Sequence, residues 1–136
     1  MLVHASHMPE TPVGISLIDG DAAVRRERQL MLRSEAFEVR SYATCAAILA
    51  DRGARTSSCL VVDADMPEMR GVELVRLMRA RGWRGSAILL AGLGVGNELG
   101  GVELEAGDIW LPKTIGDRPL LDAVRATLGD QLASGD

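Results

Sequence analysis

Residues 59–71 read CLVVDADMPEMRG. Four apolar residues, Cys59 to Val62, run without a break into Asp63. Asp65, the pair Met66-Pro67 and Gly71 follow. An unbroken apolar run, rather than an alternating one, is what a strand covered on both faces requires. It predicts a central parallel strand over 59–63. An acid at the end of a buried strand has two readings: a structural turn residue, or a carboxylate placed to work.

Working outward, 14–19 (GISLID) reads as a second buried strand that also ends on an acid, Asp19. A helix is predicted over 21–35, with Asp21 as N-cap and Val24, Arg28 and Met31 on one face. Residues 38–42 alternate as a strand. Thr44 can cap a short helix over 45–52 that stops at Gly53. Residues 72–81 are amphipathic, with Leu74, Val75 and Met78 inward and Arg76 and Arg79 outward, and Gly82 stops them. AILLA (87–91) is a fourth buried strand and 109–111 a short fifth. A last helix is predicted over 117–128, with Leu121, Val124 and Leu128 in register.

Strands alternating with helices imply an α/β protein, with a parallel sheet and helices on both faces. In such sheets functional groups gather beyond the carboxyl ends of the strands. Asp19, Asp63, Ala91 and Lys113 all fall at or just past those ends. One segment departs from the pattern. Residues 92–107 (GLGVGNELGGVELEAG) should hold a helix but contain six glycines. Each helical glycine costs ~1 kcal/mol relative to alanine. A short helix over 99–106 behind a mobile loop is expected.

Composition bounds the function. The 136 residues suit one domain with one core. The net charge of −4 argues against nucleic-acid binding by this domain. No apolar run approaches the ~20 residues of a membrane span, and no secretory signal is visible, so a cytoplasmic location is the default. Cys45 and Cys59 lie in apolar surroundings and read as reduced core thiols. Of the 15 cations only Lys113 is a lysine. The arginines at 25, 26 and 28, and those at 76, 79, 81 and 84, read as solvated helix faces. Trp83 reads as an exposed loop aromatic. Residues 1–12 have no periodicity; Ser6-His7-Met8 resembles a cloning remnant, and this arm is left out of fold reasoning. Residues 13–130 are the domain and 131–136 a tail.

The pieces ISLIDGD (15–21), VVDADMPEMRG (61–71), ILLAG (88–92) and WLPKTI (110–115), in this order, resemble the receiver domain of two-component response regulators. The resemblance implies a flavodoxin-like, doubly wound sheet of five parallel strands in the order 2-1-3-4-5. It implies that Asp63 is the phosphoacceptor, supplied by a histidine kinase or phosphotransfer protein or by a small acyl phosphate. Lys113 would pair with Asp63 and then with its phosphoryl group. Mg²⁺ would be held by Asp19, Asp63 and the backbone carbonyl of Asp65. Ala91 and Trp110 stand at the two switch positions. Such a domain phosphorylates itself without being a turnover enzyme, and signals to a downstream protein or a fused output domain.

Three departures stand out. Gly20 replaces the second of two adjacent acids, so metal affinity is expected to be weak. Ala91 stands where the family carries Thr or Ser, whose hydroxyl bonds the phosphoryl group. Lys113 is followed by Thr114, with Pro112 before it. The alternative implied is a pseudo-receiver, a protein-interaction module that works without phosphate. The DxD at Asp63-Ala64-Asp65 also resembles haloacid-dehalogenase-type phosphatases, but Pro67 stands where that family has Thr or Val. No DNA-binding helix pair follows residue 128, so the chain reads as a stand-alone receiver or as part of a longer regulator.

Overall fold

The computed structural model describes residues 13–92 and 104–134. Its sheet has five parallel strands in the order β2-β1-β3-β4-β5. They are β1 (Gly14–Ile18), β2 (Glu38–Tyr42), β3 (Cys59–Asp63), β4 (Ser86–Ala91) and β5 (Ile109–Pro112). The helices among the described residues are α1 (Ala22–Ser34), α2 (Cys45–Ala50), α3 (Gly71–Ala80) and α4 (Asp117–Ser134).

The unbroken apolar runs lie where their composition requires. All five residues of β3 and all six of β4 are buried. Alternate residues of β3 feed opposite faces. Leu60 and Val62 join a cluster with Ile48, Leu74, Met78 and Leu89. Cys59 and Val61 join a second cluster with Leu17, Leu32, Leu90, Leu120 and Val124. Burying each such side chain contributes about 1.5–3 kcal/mol. β3, packed on both faces, is therefore the rigid base from which Asp63 projects.

Several boundaries differ from expectation. α2 ends at Ala50, not at residue 52, because Asp51 starts a 3₁₀ turn, Arg52–Thr56, by accepting the Gly53 N–H at 2.9 Å. α4 runs past residue 128 to Ser134, so most of the expected tail is helix; Gly129 faces open space and costs the helix only its propensity. The helix expected over 99–106 falls largely outside the described residues. Its last positions, Leu104 to Ala106, are not helical. There Asp108 N–H bonds Glu105 O at 3.0 Å and Gly107 takes φ +94, which closes a turn instead.

Three side chains read as exposed are held inside. Trp83 is 1% exposed; its indole Nε1 donates to Ser57 O at 2.8 Å. The guanidinium of Arg79 lies 4.9 Å over its ring. Arg79 is half-buried because it grips Asp108 with two bonds, at 2.7 and 2.8 Å. Arg28 is buried against Asp19. In each case a partner outside the residue's own helix or turn compensates the polar group, which helix periodicity alone does not register. Cys45 and Cys59 are buried free thiols, as expected, and burial pushes both up to about 12.

Candidate functional site

The carboxyl ends of β1, β3 and β5 converge on a cleft of about 170 Å³, lined by Asp19, Asp21, Val24, Arg28, Asp63 and Lys113. In-register pairing sets this geometry. Ile18 pairs with Val62, so Asp19 and Asp63 leave neighbouring strands at the same level. Asp63 pairs with Leu90 and Ala91 with Pro112, which brings Lys113 to that edge.

Asp63 is 8% exposed. Its Oδ1 takes two contacts: Lys113 Nζ at 2.8 Å and the Asp65 N–H at 2.9 Å. Lys113 Nζ also lies 3.3 Å from Asp65 Oδ2, and the Gly92 N–H donates to that oxygen at 3.2 Å. Burial alone would lower the Lys113 pKa, but the hydrogen bonds and charges of Asp63 and Asp65 carry it above the ordinary lysine value. Lys113 is therefore a full cation at neutral pH.

The loop after β3 explains the rest of the opening motif. Ala64 N–H donates to Leu90 O at 2.8 Å, and Gly71 N–H returns to Ala64 O at 3.1 Å. A Cβ on Gly71 would lie 2.9 Å from Ala64 Cα and 3.2 Å from side chains of Leu89 and Val62, so only glycine fits this close return. Glu68 accepts the Cys45 N–H at 2.9 Å and ties the loop to the start of α2.

The second half of the cleft belongs to β1 and α1. Asp21 caps α1, accepting the N–H groups of Ala23 and Val24 at 2.9 and 3.2 Å. Asp19 Oδ1 accepts the Asp21 N–H at 2.8 Å. Asp19 Oδ2 pairs with Arg28 Nη1 at 3.0 Å, and Arg28 Nη2 donates to Lys113 O at 3.0 Å. Arg25 Nη1 donates to Asp19 O at 2.8 Å.

Asp19, Asp63 and Lys113 thus come together as expected. Asp65 enters in a way the sequence reading did not anticipate, through its side chain as a second acceptor for Lys113. Arg28 was missed. Its signal was available: a charged residue between Val24 and Met31 on the inward face of a helix capped next to an acid. Ala91 is buried and its carbonyl accepts the Lys113 N–H at 2.8 Å. Trp110 is half-buried and packs on the Leu60–Leu89 cluster.

Receiver domains typically bind Mg²⁺ through oxygen ligands. Mg²⁺ needs carboxylates free to face it in near-octahedral geometry. Here the Asp19 carboxylate is committed to Arg28 and to the Asp21 N–H, and position 20 has no side chain. Asp63 holds Lys113 on Oδ1, which leaves its Oδ2 as the one oxygen of these two carboxylates with no described contact. No three acidic, histidine or cysteine side chains among the described residues are grouped to hold a metal ion. The arrangement does not fit the ion as it stands.

Comparisons with known proteins agree with the fold. The transcriptional regulatory protein FixJ of Azorhizobium caulinodans is 33% identical over 129 residues, which are 94% of this chain and 60% of that protein. The response regulator protein TmoT of Ectopseudomonas mendocina is 29% identical over 123 residues, 90% of this chain and 56% of that protein. The chain therefore spans little more than half the length of these relatives. Among solved structures, a receiver protein from Sinorhizobium medicae superposes with a TM-score of 0.77 at 19% identity, covering 89% of this chain and 98% of that one. The structure titled FixJ-N gives 0.70 at 25% identity, over 86% and 94%. Residues 15–125 match the family model for the response regulator receiver domain, a span that holds every cleft residue described above, and the chain belongs to that family.

Proposed function

We propose that the chain receives a phosphoryl group on Asp63 from a phosphohistidine of a histidine kinase or phosphotransfer protein. The observation that carries this is the Lys113–Asp63 contact of 2.8 Å at the end of a strand buried on both faces. Both contacts of the carboxylate fall on Oδ1, so Oδ2 is the oxygen assigned to attack. It forms a new O–P bond as the N–P bond of the phosphohistidine breaks. The electron pair returns to the imidazole nitrogen, which takes up a proton, and the protein carries an acyl phosphate. Lys113, already cationic beside Oδ1, offsets the charge gathering on the phosphoryl oxygens.

The domain works as a signalling module rather than a turnover enzyme. Its location is proposed as cytoplasmic. No helix among the described residues is long and apolar enough to cross a membrane. The output is assigned to a downstream protein or a fused output domain, and the net charge of −4 speaks against nucleic acid as this domain's own partner.

A specific observation favours a second reading. Ala91 offers no hydroxyl and Gly20 no acid, while every carboxylate of the cleft already has a cation or N–H partner. A pseudo-receiver, recognised by its surface alone, fits those facts. Intact mass after incubation with acetyl phosphate, beside Asp63→Ala, separates the two. One added phosphoryl group in the parent and none in the variant supports Asp63 as acceptor. No gain, with acetyl phosphate or a cognate kinase, sinks that reading in favour of the second.

A further inference from the structure

We propose that Arg28 is the resident cation of this cleft: its guanidinium holds Asp19 and the Lys113 carbonyl together and takes the place of a divalent metal ion. The proposal deepens the phosphoacceptor reading and rests on it for its functional meaning, but the geometry behind it is independent.

Arg28 is 7% exposed and Asp19 is 3% exposed. Taking both charges out of water costs several kcal/mol per ion, an expense repaid only by good geometry and further hydrogen bonds. The guanidinium has both: Nη1 reaches Asp19 Oδ2 and Nη2 reaches Lys113 O, each at 3.0 Å. A carboxylate oxygen and a backbone carbonyl oxygen are the donor types a hard divalent cation also takes. One arginine, rooted in α1, thus occupies ligands from β1 and from the turn after β5. It also lines the same cleft as Asp63.

Charge balance points the same way. Four carboxylates, Asp19, Asp21, Asp63 and Asp65, stand in or beside the cleft with three cations, Arg25, Arg28 and Lys113. A divalent ion entering next to these cations would meet a field partly neutralised already. Sterics do not explain Gly20 otherwise. A Cβ there would meet only the Met66 side chain, at 3.7 Å and beyond, which is ordinary contact. A Cβ is accommodated at position 20, so Gly20 and Arg28 are two separate features that can be tested separately.

The test is a cycle of four proteins: the parent, Gly20→Asp, Arg28→Gln, and the double variant. Gln keeps a hydrogen-bond donor for Asp19 but carries no charge, so the fold has a partner for that carboxylate. Mg²⁺ binding to the full chain is read by calorimetry and by amide chemical shifts, with circular dichroism as the check on folding. The expected result is no saturable binding in the parent, and binding in the double variant tighter than in Gly20→Asp by about tenfold or more, which corresponds to about 1.4 kcal/mol. Equal affinity in Gly20→Asp and the double variant would overturn the proposal, since Arg28 would then be no competitor. So would tight Mg²⁺ binding by the parent, or no binding in any of the four. Should Arg28→Gln unfold, Arg28→Lys replaces it: an ammonium keeps the charge but not the two-pronged grip, and weakened exclusion of Mg²⁺ is expected. Labelling of the parent by acetyl phosphate and by a phosphorylated cognate kinase, each with Mg²⁺ and with EDTA, runs alongside. Labelling with Mg²⁺ but not with EDTA would overturn the role of Arg28; if no donor labels under either condition while the Mg²⁺ cycle behaves as expected, the phosphoacceptor reading is lost and the role of Arg28 as cation stands.

Discussion

Asp108 is the acid whose removal the structure makes most costly. Its side chain is 1% exposed and accepts three hydrogen bonds: two from Arg79, at 2.7 and 2.8 Å, and one from the Ala87 N–H at 2.8 Å. Arg79 in turn donates to Gly85 O at 3.0 Å and lies over Trp83. The cluster joins α3 to the starts of β4 and β5. Asp108→Ala would strand a guanidinium that is 18% exposed and leave the Ala87 N–H without its acceptor. Breaking a buried pair by removing one partner costs about 3–5 kcal/mol. Arg79 is not fully buried, and Glu105 stays in reach of its Nε at 3.2 Å. The discounted expectation is a loss of roughly 2–4 kcal/mol, or a Tm lower by about 6–15 °C. Urea melts of the parent, Asp108→Ala, Arg79→Ala and the double variant measure it. The cycle should return a coupling above about 1 kcal/mol, because the two residues share one bidentate contact. A loss under 1 kcal/mol in Asp108→Ala, or additive effects in the cycle, would refute the reasoning. Asp108 directly precedes β5, so amide exchange at Ile109, Trp110 and Leu111 should quicken in the same variant.

Two further outcomes are expected. Burial first, and then the hydrogen bond to Asp51, raise the Tyr42 phenol from 10.0 to about 12. The native state thus keeps a proton that the unfolded chain gives up: the associated stability is whole below pH 10, and it is lost as pH rises toward 12. Tyr42→Phe should flatten that alkaline decline by up to about 2–3 kcal/mol in melts across the window; an unchanged slope would show the phenol is not protected. Ala91→Thr places a hydroxyl at a buried position beside the cleft. If Asp63 is phosphorylated, a charge-assisted hydrogen bond of about 1.5–3 kcal/mol becomes available. Trp110 fluorescence should then change on acetyl phosphate treatment more in the variant than in the parent; equal responses would mean position 91 does not limit the switch.

Much of the fold was legible because it rests on local signals. β3 and β2 have the bounds their apolar patterns predict, and Asp21 caps α1 as its place before the helix implies. Asp63 and Lys113 could be placed at one edge on paper because strand ends in such a sheet share it; their pairing was what the receiver resemblance implied. What escaped was long-range compensation. Arg28, Arg79 and Trp83 carry polar or amphipathic groups that residue type alone assigns to solvent. Each is buried by a partner outside its own helix or turn: Asp19 and the Lys113 carbonyl, Asp108, and the Ser57 carbonyl respectively. Arg28 interrupts an inward stripe between Val24 and Met31, and Arg79 follows the buried Val75 at i+4 and Val72 at i+7, at the edge of the buried face of α3; in both cases the stripe itself marked the position.

The same compensation constrains how a signal could leave the cleft. Phosphorylation adds roughly one further negative charge and strong acceptor oxygens to Asp63. The nearest mobile cation is Lys113, which already divides its ammonium between Asp63 and Asp65, at 2.8 and 3.3 Å. Pulling it wholly onto the phosphoryl group would release Asp65 Oδ2, whose other contact is the Gly92 N–H at 3.2 Å. Lys113 is also tied to the end of β4 through its own N–H and the Ala91 carbonyl. With no hydroxyl at Ala91, the described contacts leave a path through Lys113 and Asp65 to the backbone at Gly92. A phosphoryl group and the chain's own arginine would then act from opposite sides of Lys113, one on its ammonium and one on its carbonyl. A receiver built this way would answer to charge more than to a directed hydroxyl, and because Asp63 is buried and Lys113 only partly exposed, its response to phosphorylation should persist as salt rises.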